Sequence, residues 1–220
     1  MAEQVMYGSK TDEKHIQLLK LLAQLRDHID IQRIIGLNVG ALQEGRISGA
    51  FLGYLQKSAH ESLAIYFCKI FEASTRNDLN SIPGIIASIP VAPVSDRQCE
   101  ALAAFGKKCG HEDTPVDAKS YLQDTLGQFR AAHADSLDRL KEFRDTIGAH
   151  SDYHADLTSL PSHAEFETLF NFAKDFYEVV SRSIIDVAPA VIPRTVGRGF
   201  MKLIGSLGVK TPRFDFEDEK

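Results

Sequence analysis

Apolar residues recur every three or four positions through most of this chain, which is the spacing of one face of a helix. A first stripe predicts a helix over about 12–35; its members are Leu18, Leu22, Leu25 and Ile29. A second stripe begins after Gly49 and ends before the polar run 74–78; its members are Leu52, Leu55, Ala59, Leu63, Tyr66 and Ile70. No segment sustains a period of two. The pattern therefore predicts an all-α bundle of about five main helices.

Two capping boxes mark the starts of later helices. Ser95 is followed three residues on by Gln98, and Ser162 by Glu165, so each pair can satisfy two backbone N–H groups at a helix start. Between about 80 and 94, three prolines exclude a continuous helix, and an ordered, partly buried connection is expected.

The last long stripe starts at the second capping box. Its members are Phe166, Leu169, Ala173, Phe176, Val180, Ile184 and Val187. Pro189 and Pro193 should close this helix.

A long helix is also predicted from Pro115, a residue favoured at the first helical position, to about residue 150. Its stripe contains Leu122, Leu126, Phe129, His133, Leu137, Leu140, Arg144 and Ile147. Arg144 therefore lies on or beside an apolar face. Because an unpaired buried guanidinium costs several kcal/mol, it must find a carboxylate, a partner subunit or a ligand.

Charge divides the chain into two parts. The formal net charge of −5 over 220 residues gives no global attraction to polyanions, so nucleic-acid contact would need a local basic patch. Such a patch follows the all-α domain of residues 1–193: the segment 194–220 is basic and amphipathic before its acidic tail. Its candidate substrate-binding residues are Arg194, Arg198 and Lys202. The segment could hold RNA phosphates, dock on a partner or pack on the bundle.

The cysteines and the N-terminus point to a cytoplasmic protein. Cys68, Cys99 and Cys109 are an odd number without CxxC spacing, which argues against a disulfide framework or a zinc knuckle. The first residues are charged, and no apolar run approaches the roughly 18 residues of a membrane span. We expect no membrane association.

The segment Arg144 to His150 joins a permanent cation, the carboxylate of Asp145 and an imidazole. On an unbroken helix the first and last of these residues point about 120° apart. A helix end at Gly148 would let His150 fold back toward Arg144, with Asp145 orienting either group by a charge-assisted hydrogen bond.

These residue types suit metal-free cleavage of a phosphodiester. That reaction needs a group to take the nucleophile's proton, a cation for the phosphorane charge and an acid for the leaving oxygen. His150 suits proton transfer near neutral pH, and Arg144 suits bidentate contact with phosphate. One arginine and one histidine are few groups for this reaction. A two-fold dimer is therefore favoured, because it would bring two arginines and two histidines together.

The segment resembles the motif of the HEPN superfamily, which is Arg, then Asp or Asn, then four residues, then His, near a helix end in an all-α domain. Arg144, Asp145 and His150 match it at every fixed position. His150-Ser151-Asp152 is similar to the "His, any, Asp" of many members. The helix around 65–72 resembles the AbiU-like abortive-infection branch.

The resemblance implies a homodimeric, metal-independent endoribonuclease of a toxin, antiphage or RNA-processing system, without a cofactor. Arg144 would clamp phosphate, His150 would act as general acid and base, and Asp145 would position them. The implied partners are RNA, a second copy of the chain, and a cognate antitoxin or nucleotidyltransferase. The likeness covers chiefly the helices at 50–73 and 115–150.

Two alternatives use the same residues. His150, His154 and His163, with Asp152 and Asp156 nearby, sketch a metal site, although a loop location would remove the helical spacing that favours shared ligation. A location on the surface or in hydrogen bonds explains these histidines better, and no metal is expected.

The other alternative is a non-catalytic module for dimerisation or for binding RNA or a partner, in which Arg144 and Asp145 form a structural ion pair.

Overall fold

The computed structural model describes residues 10–45, 47–73, 79–150 and 160–209, with the backbone alone at 148–150. These residues form eight α-helices and no strand, which confirms the all-α fold class. The helices are α1 (Lys10–Glu44), α2 (Gly49–Phe71), α3 (Ile82–Ser88), α4 (Asp96–Lys108), α5 (Ala118–Ala132), α6 (Ala134–His150), α7 (His163–Val180) and α8 (Thr195–Ser206).

The long helix α1 is the central support of the fold, because it packs against α2, α3, α7 and α8. The predicted stripe on it is fully buried at Leu18, Leu22, Leu25 and Ile29. The helix continues well past residue 35, through two glycines that each cost about 1 kcal/mol relative to alanine. Burial of apolar side chains in a second core offsets this cost. The core contains Ile34, Ile35, Leu42, Leu52, Ile204 and Val209.

Both predicted capping boxes are confirmed. Ser95 accepts from the backbone of Gln98, and Ser162 accepts from that of Glu165, with the reciprocal bonds present in each case. The region 80–94 is no continuous helix, as predicted, but it contains the seven-residue α3. Pro83 is tolerated there because it lies in the first turn, where a backbone N–H has no partner within the helix.

The predicted single helix over 115–150 is wrong, since two helices replace it. Its start is set by Asp117, whose carboxylate accepts a hydrogen bond of 2.9 Å from the Ser120 N–H, and Pro115 remains outside. At His133 the backbone leaves helical geometry, with φ −118° and ψ 24°. Helix α6 begins at the next residue, so the apolar stripe keeps its spacing across the break.

The end of α7 also differs from the prediction. The helix loosens into a five-residue π-turn (Ser181–Ile185), and Asp186 then adopts a left-handed conformation with φ 58°. Val187 is consequently outside the helix and 49% exposed, so its assignment to the buried face is wrong.

Helix α8 packs its apolar side on the bundle, one of the three roles considered for this segment. Ile204 is buried against α1 and α2 in the second core. The division of the chain at residue 193 stays a prediction. Within the described ranges, no helix has the length and apolar character that a membrane crossing requires.

Candidate functional site

Arg144 lies on α6 with its guanidinium between two carboxylates. Asp145 Oδ1 accepts hydrogen bonds from Nε at 3.0 Å and from Nη2 at 2.8 Å. Glu72, at the C-terminal end of α2, places Oε2 3.5 Å from Nη1. The Arg144 side chain is 28% exposed. It therefore has the carboxylate partners that its position on the stripe requires, and part of it still faces solvent.

The electrostatics of this cluster keep Arg144 cationic. The hydrogen bond to Asp145 is the main reason that the pKa of Arg144 is raised above its ordinary value. Cys68, one helical turn before Glu72, has a thiol whose pKa is raised by burial, while the nearby Arg144 acts in the opposite direction. The protonated thiol adds no charge to the cluster at neutral pH.

His150 is the last residue of α6. The predicted helix end at Gly148 is therefore wrong, because the helix continues through this glycine. A glycine inside a helix costs only about 1 kcal/mol, which neighbouring helical hydrogen bonds can offset. Positions 144 and 150 therefore lie about 120° apart around one continuous helix. The structure describes only the backbone of His150. The approach of its side chain to Arg144 within one chain therefore stays a prediction.

The AbiU2 family model matches residues 8–192, a region that contains α1 to α7 and ends before α8. The chain belongs to the AbiU2 family of HEPN domains. This family lies in the abortive-infection branch, as the sequence predicted. No curated protein and no solved structure matches the chain.

The basic segment begins after the region matched by the family, and its three candidate residues have different surroundings. Arg194 is buried, and its Nε and Nη2 donate to the two carboxylate oxygens of the fully buried Asp30 at 3.2 and 3.0 Å. This pair attaches the start of α8 to α1. Arg198 and Lys202 are exposed on α8. Arg194, predicted to bind substrate, thus forms a buried ion pair that joins two helices, and the sequence did not predict this contact.

One buried polar network of the HEPN domain could not be predicted from the sequence. His111 Nδ1 lies 2.6 Å from Thr125 Oγ1, and its Nε2 lies 3.1 Å from Asp113 Oδ2. This order of groups resembles a nucleophilic triad. However, Thr125 is fully buried and donates to the Tyr121 carbonyl, so it cannot reach a substrate. The network joins the α4–α5 connection to α5, and no sequence spacing signals it.

The alternative metal site falls largely outside the described residues, because 151–159 contain His154, Asp152 and Asp156. Of its members, the structure describes the His163 side chain, whose Nδ1 lies 3.2 Å from Gln32 Oε1. Within the described part of the chain, no group of three or more His, Cys, Asp or Glu residues could hold a metal ion.

Proposed function

We propose that this HEPN domain is a metal-independent endoribonuclease of an abortive-infection system, with Arg144 and His150 of two protomers lining one cleft. Membership of the AbiU2 family supports the proposal. The observation that carries it is the state of Arg144, a cation held in place by Asp145 while 28% of its side chain is exposed. A positioned and accessible guanidinium suits recognition of a phosphate.

The proposed reaction is an internal transesterification. The imidazole of His150 removes the proton of a ribose 2′-hydroxyl, and the 2′-oxygen forms a bond to the adjacent phosphorus. Arg144 stabilises the charge that develops on the non-bridging oxygens. The bond from phosphorus to the 5′-oxygen breaks, and an imidazolium protonates that oxygen. The products are a 2′,3′-cyclic phosphate end and a 5′-hydroxyl end.

The contacts of Arg144 indicate which edge of the guanidinium would meet phosphate. Asp145 occupies Nε and Nη2 through short hydrogen bonds. Nη1 instead has the longer 3.5 Å contact with Glu72, whose side chain is 49% exposed. An exposed ion pair of this kind contributes only about 0–1 kcal/mol, so a phosphate oxygen can replace Glu72 while Asp145 keeps the guanidinium in place.

Cleavage of single-stranded RNA in EDTA tests the proposal. Arg144→Ala and His150→Ala should each lower the rate by about 10²–10⁴-fold, because each removes a group that acts in the transition state. Arg130→Ala is a matched control, since Arg130 is an exposed arginine in the last turn of α5, outside the motif. The control should cut at the unaltered rate, and circular dichroism should show that all three variants are folded. Unchanged cleavage by both motif variants would overturn the proposal.

The second candidate function is a non-catalytic module that binds RNA or a partner. The pairing of Arg144 with carboxylates from both α2 and α6 favours it, because such a cluster can serve to join the two helices. In that case the natural chain leaves RNA intact, and Arg144→Ala lowers stability without any effect on a reaction. Analysis of the RNA ends distinguishes the two functions, because only the endoribonuclease produces a 2′,3′-cyclic phosphate end.

A further inference from the structure

A basic cavity of about 900 Å³ lies between α1, α7, the segment 189–193 and the start of α8. Its lining has one carboxylate, Glu178, and five cationic side chains, which are Arg26, Lys174, Arg182, Arg194 and Arg198. In a chain of net charge −5, this local excess of cations attracts acidic groups. Neither Arg144 nor its partners Glu72 and Asp145 line the cavity, so it is separate from the proposed RNA site.

The cations of the lining differ in their exposure and in their partners. The two buried arginines, Arg26 and Arg194, lie 3.2 and 3.0 Å from carboxylate oxygens. Lys174 lies 3.3 Å from Glu178, and both side chains are partly exposed, so this pair contributes only about 0–1 kcal/mol. Arg182 is exposed on the π-turn, and no described carboxylate forms an ion pair with it. Lys174 and Arg182 can therefore accept a further carboxylate at little cost.

The segment 189–193 gives the cavity an apolar wall. Val191 lines the cavity and is 85% exposed. The wall is held in place because the Ala190 N–H donates to Tyr177 Oη at 3.1 Å and because prolines at both ends restrict the backbone. An uncovered apolar wall beside cations suits a ligand that carries both apolar and acidic groups.

The chain itself contains a segment with this chemistry shortly after α8. Residues 214–219, which lie outside the described residues, read Phe-Asp-Phe-Glu-Asp-Glu. The segment thus combines two aromatic rings with four carboxylates and has no cation. Its rings match the apolar wall, and its carboxylates match the exposed cations of the cavity.

The end of α8 places this segment within reach of the cavity. Gly208, with φ 97°, follows the helix in a left-handed turn, and the Val209 N–H donates to the Ile204 carbonyl at 3.2 Å. The turn brings the chain back beside the last turn of α8. From Arg198, a lining residue, to position 209 a helix rises about 16 Å. An extended chain of about seven residues spans up to about 24 Å, so Phe216 can reach the cavity from Val209.

We propose that the segment 214–219 docks in the basic cavity of the same chain, with Phe214 and Phe216 against the wall 189–193 and its carboxylates at Lys174 and Arg182. A short connection gives the segment a high effective concentration at the cavity, so modest contacts suffice to hold it there. The docked segment covers Val191 and keeps other polyanions out of the cavity.

Disulfide trapping in the full chain tests the proposal. In the double variant Val191→Cys/Asp218→Cys, which keeps both aromatic rings, a mild oxidant should form a bond between the two new cysteines of one chain. Val116→Cys/Asp218→Cys is the matched control, because Val116 is a valine of similar exposure, 78%, outside the cavity. It should form its bond at least about ten-fold more slowly. Mass spectrometry of the linked peptides separates these bonds from any made by the natural cysteines Cys68, Cys99 and Cys109.

Reversal of charge in the cavity gives a second measurement. Lys174→Glu/Arg182→Glu, added to the first cysteine pair, should slow trapping by about ten-fold or more, because repulsion replaces attraction. Lys20→Glu/Lys107→Glu makes the same change of charge at exposed lysines of α1 and α4 outside the cavity, and it should leave the rate unchanged. Circular dichroism should show that every variant is folded.

Three results would overturn the proposal: equal trapping rates for the two cysteine pairs, a rate that the charge reversal in the cavity leaves unchanged, or a bond that joins two chains in place of one. The last result would assign the cavity to the segment of a second copy. The readout is a bond within the chain and not cleavage of RNA, so this inference and the proposed function can fail independently.

Discussion

Glu165 joins the start of α7 to α6 through two contacts and caps α7 through a third. Its carboxylate accepts hydrogen bonds from Ser136 and Arg139 of α6 and, at 2.7 Å, from the Ser162 N–H. The bond from Ser136 is the main reason that the pKa of Glu165 is lowered to about 2. This residue therefore contributes stability only while its carboxyl is ionised.

Glu165→Gln should reduce the free energy of unfolding at neutral pH by about 1–2 kcal/mol, because it removes a capping group and charge-assisted hydrogen bonds. The lowered folded-state pKa makes this contribution complete above about pH 4.5, and it disappears as the pH falls toward 2. Urea unfolding at several pH values should show the natural chain and the variant converging over that interval. Glu112→Gln, at an exposed position, should show no such difference. A gap that is constant with pH would contradict this account.

Arg144 shows how much of a single residue's surroundings the sequence can predict. Its place on an apolar stripe requires a partner, and Asp145 is adjacent in the chain, so that contact was predictable. Glu72 was not, because its distance of 3.5 Å from Arg144 depends on how α2 packs against α6. The same holds for Asp30 and Arg194, which are 164 residues apart.

Periodicity predicts which residues of an element face the core better than it predicts where the element ends. The stripe through residues 122–147 continues across His133 because a single non-helical residue barely changes the phase. Capping residues supply the missing information. Ser95 and Ser162 are the N-caps that the sequence predicts, whereas α5 begins after Asp117 and not at the predicted Pro115. The left-handed turn at Asp186 has no sequence signal, since glycine or asparagine is the usual residue there.

Helix α8 offers a prediction at the scale of one element. Gly197→Ala should displace the helix from α1, because the new Cβ would lie 3.0 Å from the Asp30 Cβ and closer still to its carboxylate. We expect a loss of about 1–3 kcal/mol in stability and faster amide hydrogen exchange in 195–206.

Gly199→Ala is the matched control on the same helix, since a Cβ at that position has nothing within 4 Å. It should leave exchange unchanged or slow it, because alanine favours a helix interior by up to about 1 kcal/mol over glycine. Equal exchange rates in the two variants would show that close contact with Asp30 does not hold α8 in place.

At the scale of the whole molecule, one cavity combines distant parts of the chain; its basic lining residues are Arg26, Lys174, Arg182, Arg194 and Arg198. Its cations come from α1, α7, the π-turn that follows α7 and the start of α8, and the chain as a whole is acidic. The net charge predicted that nucleic-acid contact would need a local basic patch, and the residue pattern placed that patch in 194–220. The contributions of Arg26, Lys174 and Arg182 depend on the packing of α1, α7 and α8, which no stretch of sequence displays.

The continuity of α6 increases the need for a second protomer in the proposed reaction. Because positions 144 and 150 lie about 120° apart around the helix, one chain does not readily present both to a single phosphate. A two-fold axis beside α6 would bring the arginine of one protomer near the histidine of the other. The proposed activity therefore depends on assembly, and a monomer should be inactive.

Mixing two inactive variants tests this dependence. If the site is composite, Arg144→Ala and His150→Ala protomers that are co-expressed should form mixed dimers with one intact arginine and one intact histidine. Such dimers should recover part of the activity that each variant lacks alone, on the order of a tenth or more of the natural rate if one set of groups suffices for the chemistry. Light scattering should report twice the mass of one chain for every species. An active monomer, or mixed dimers that cut no better than either variant, would contradict a shared cleft.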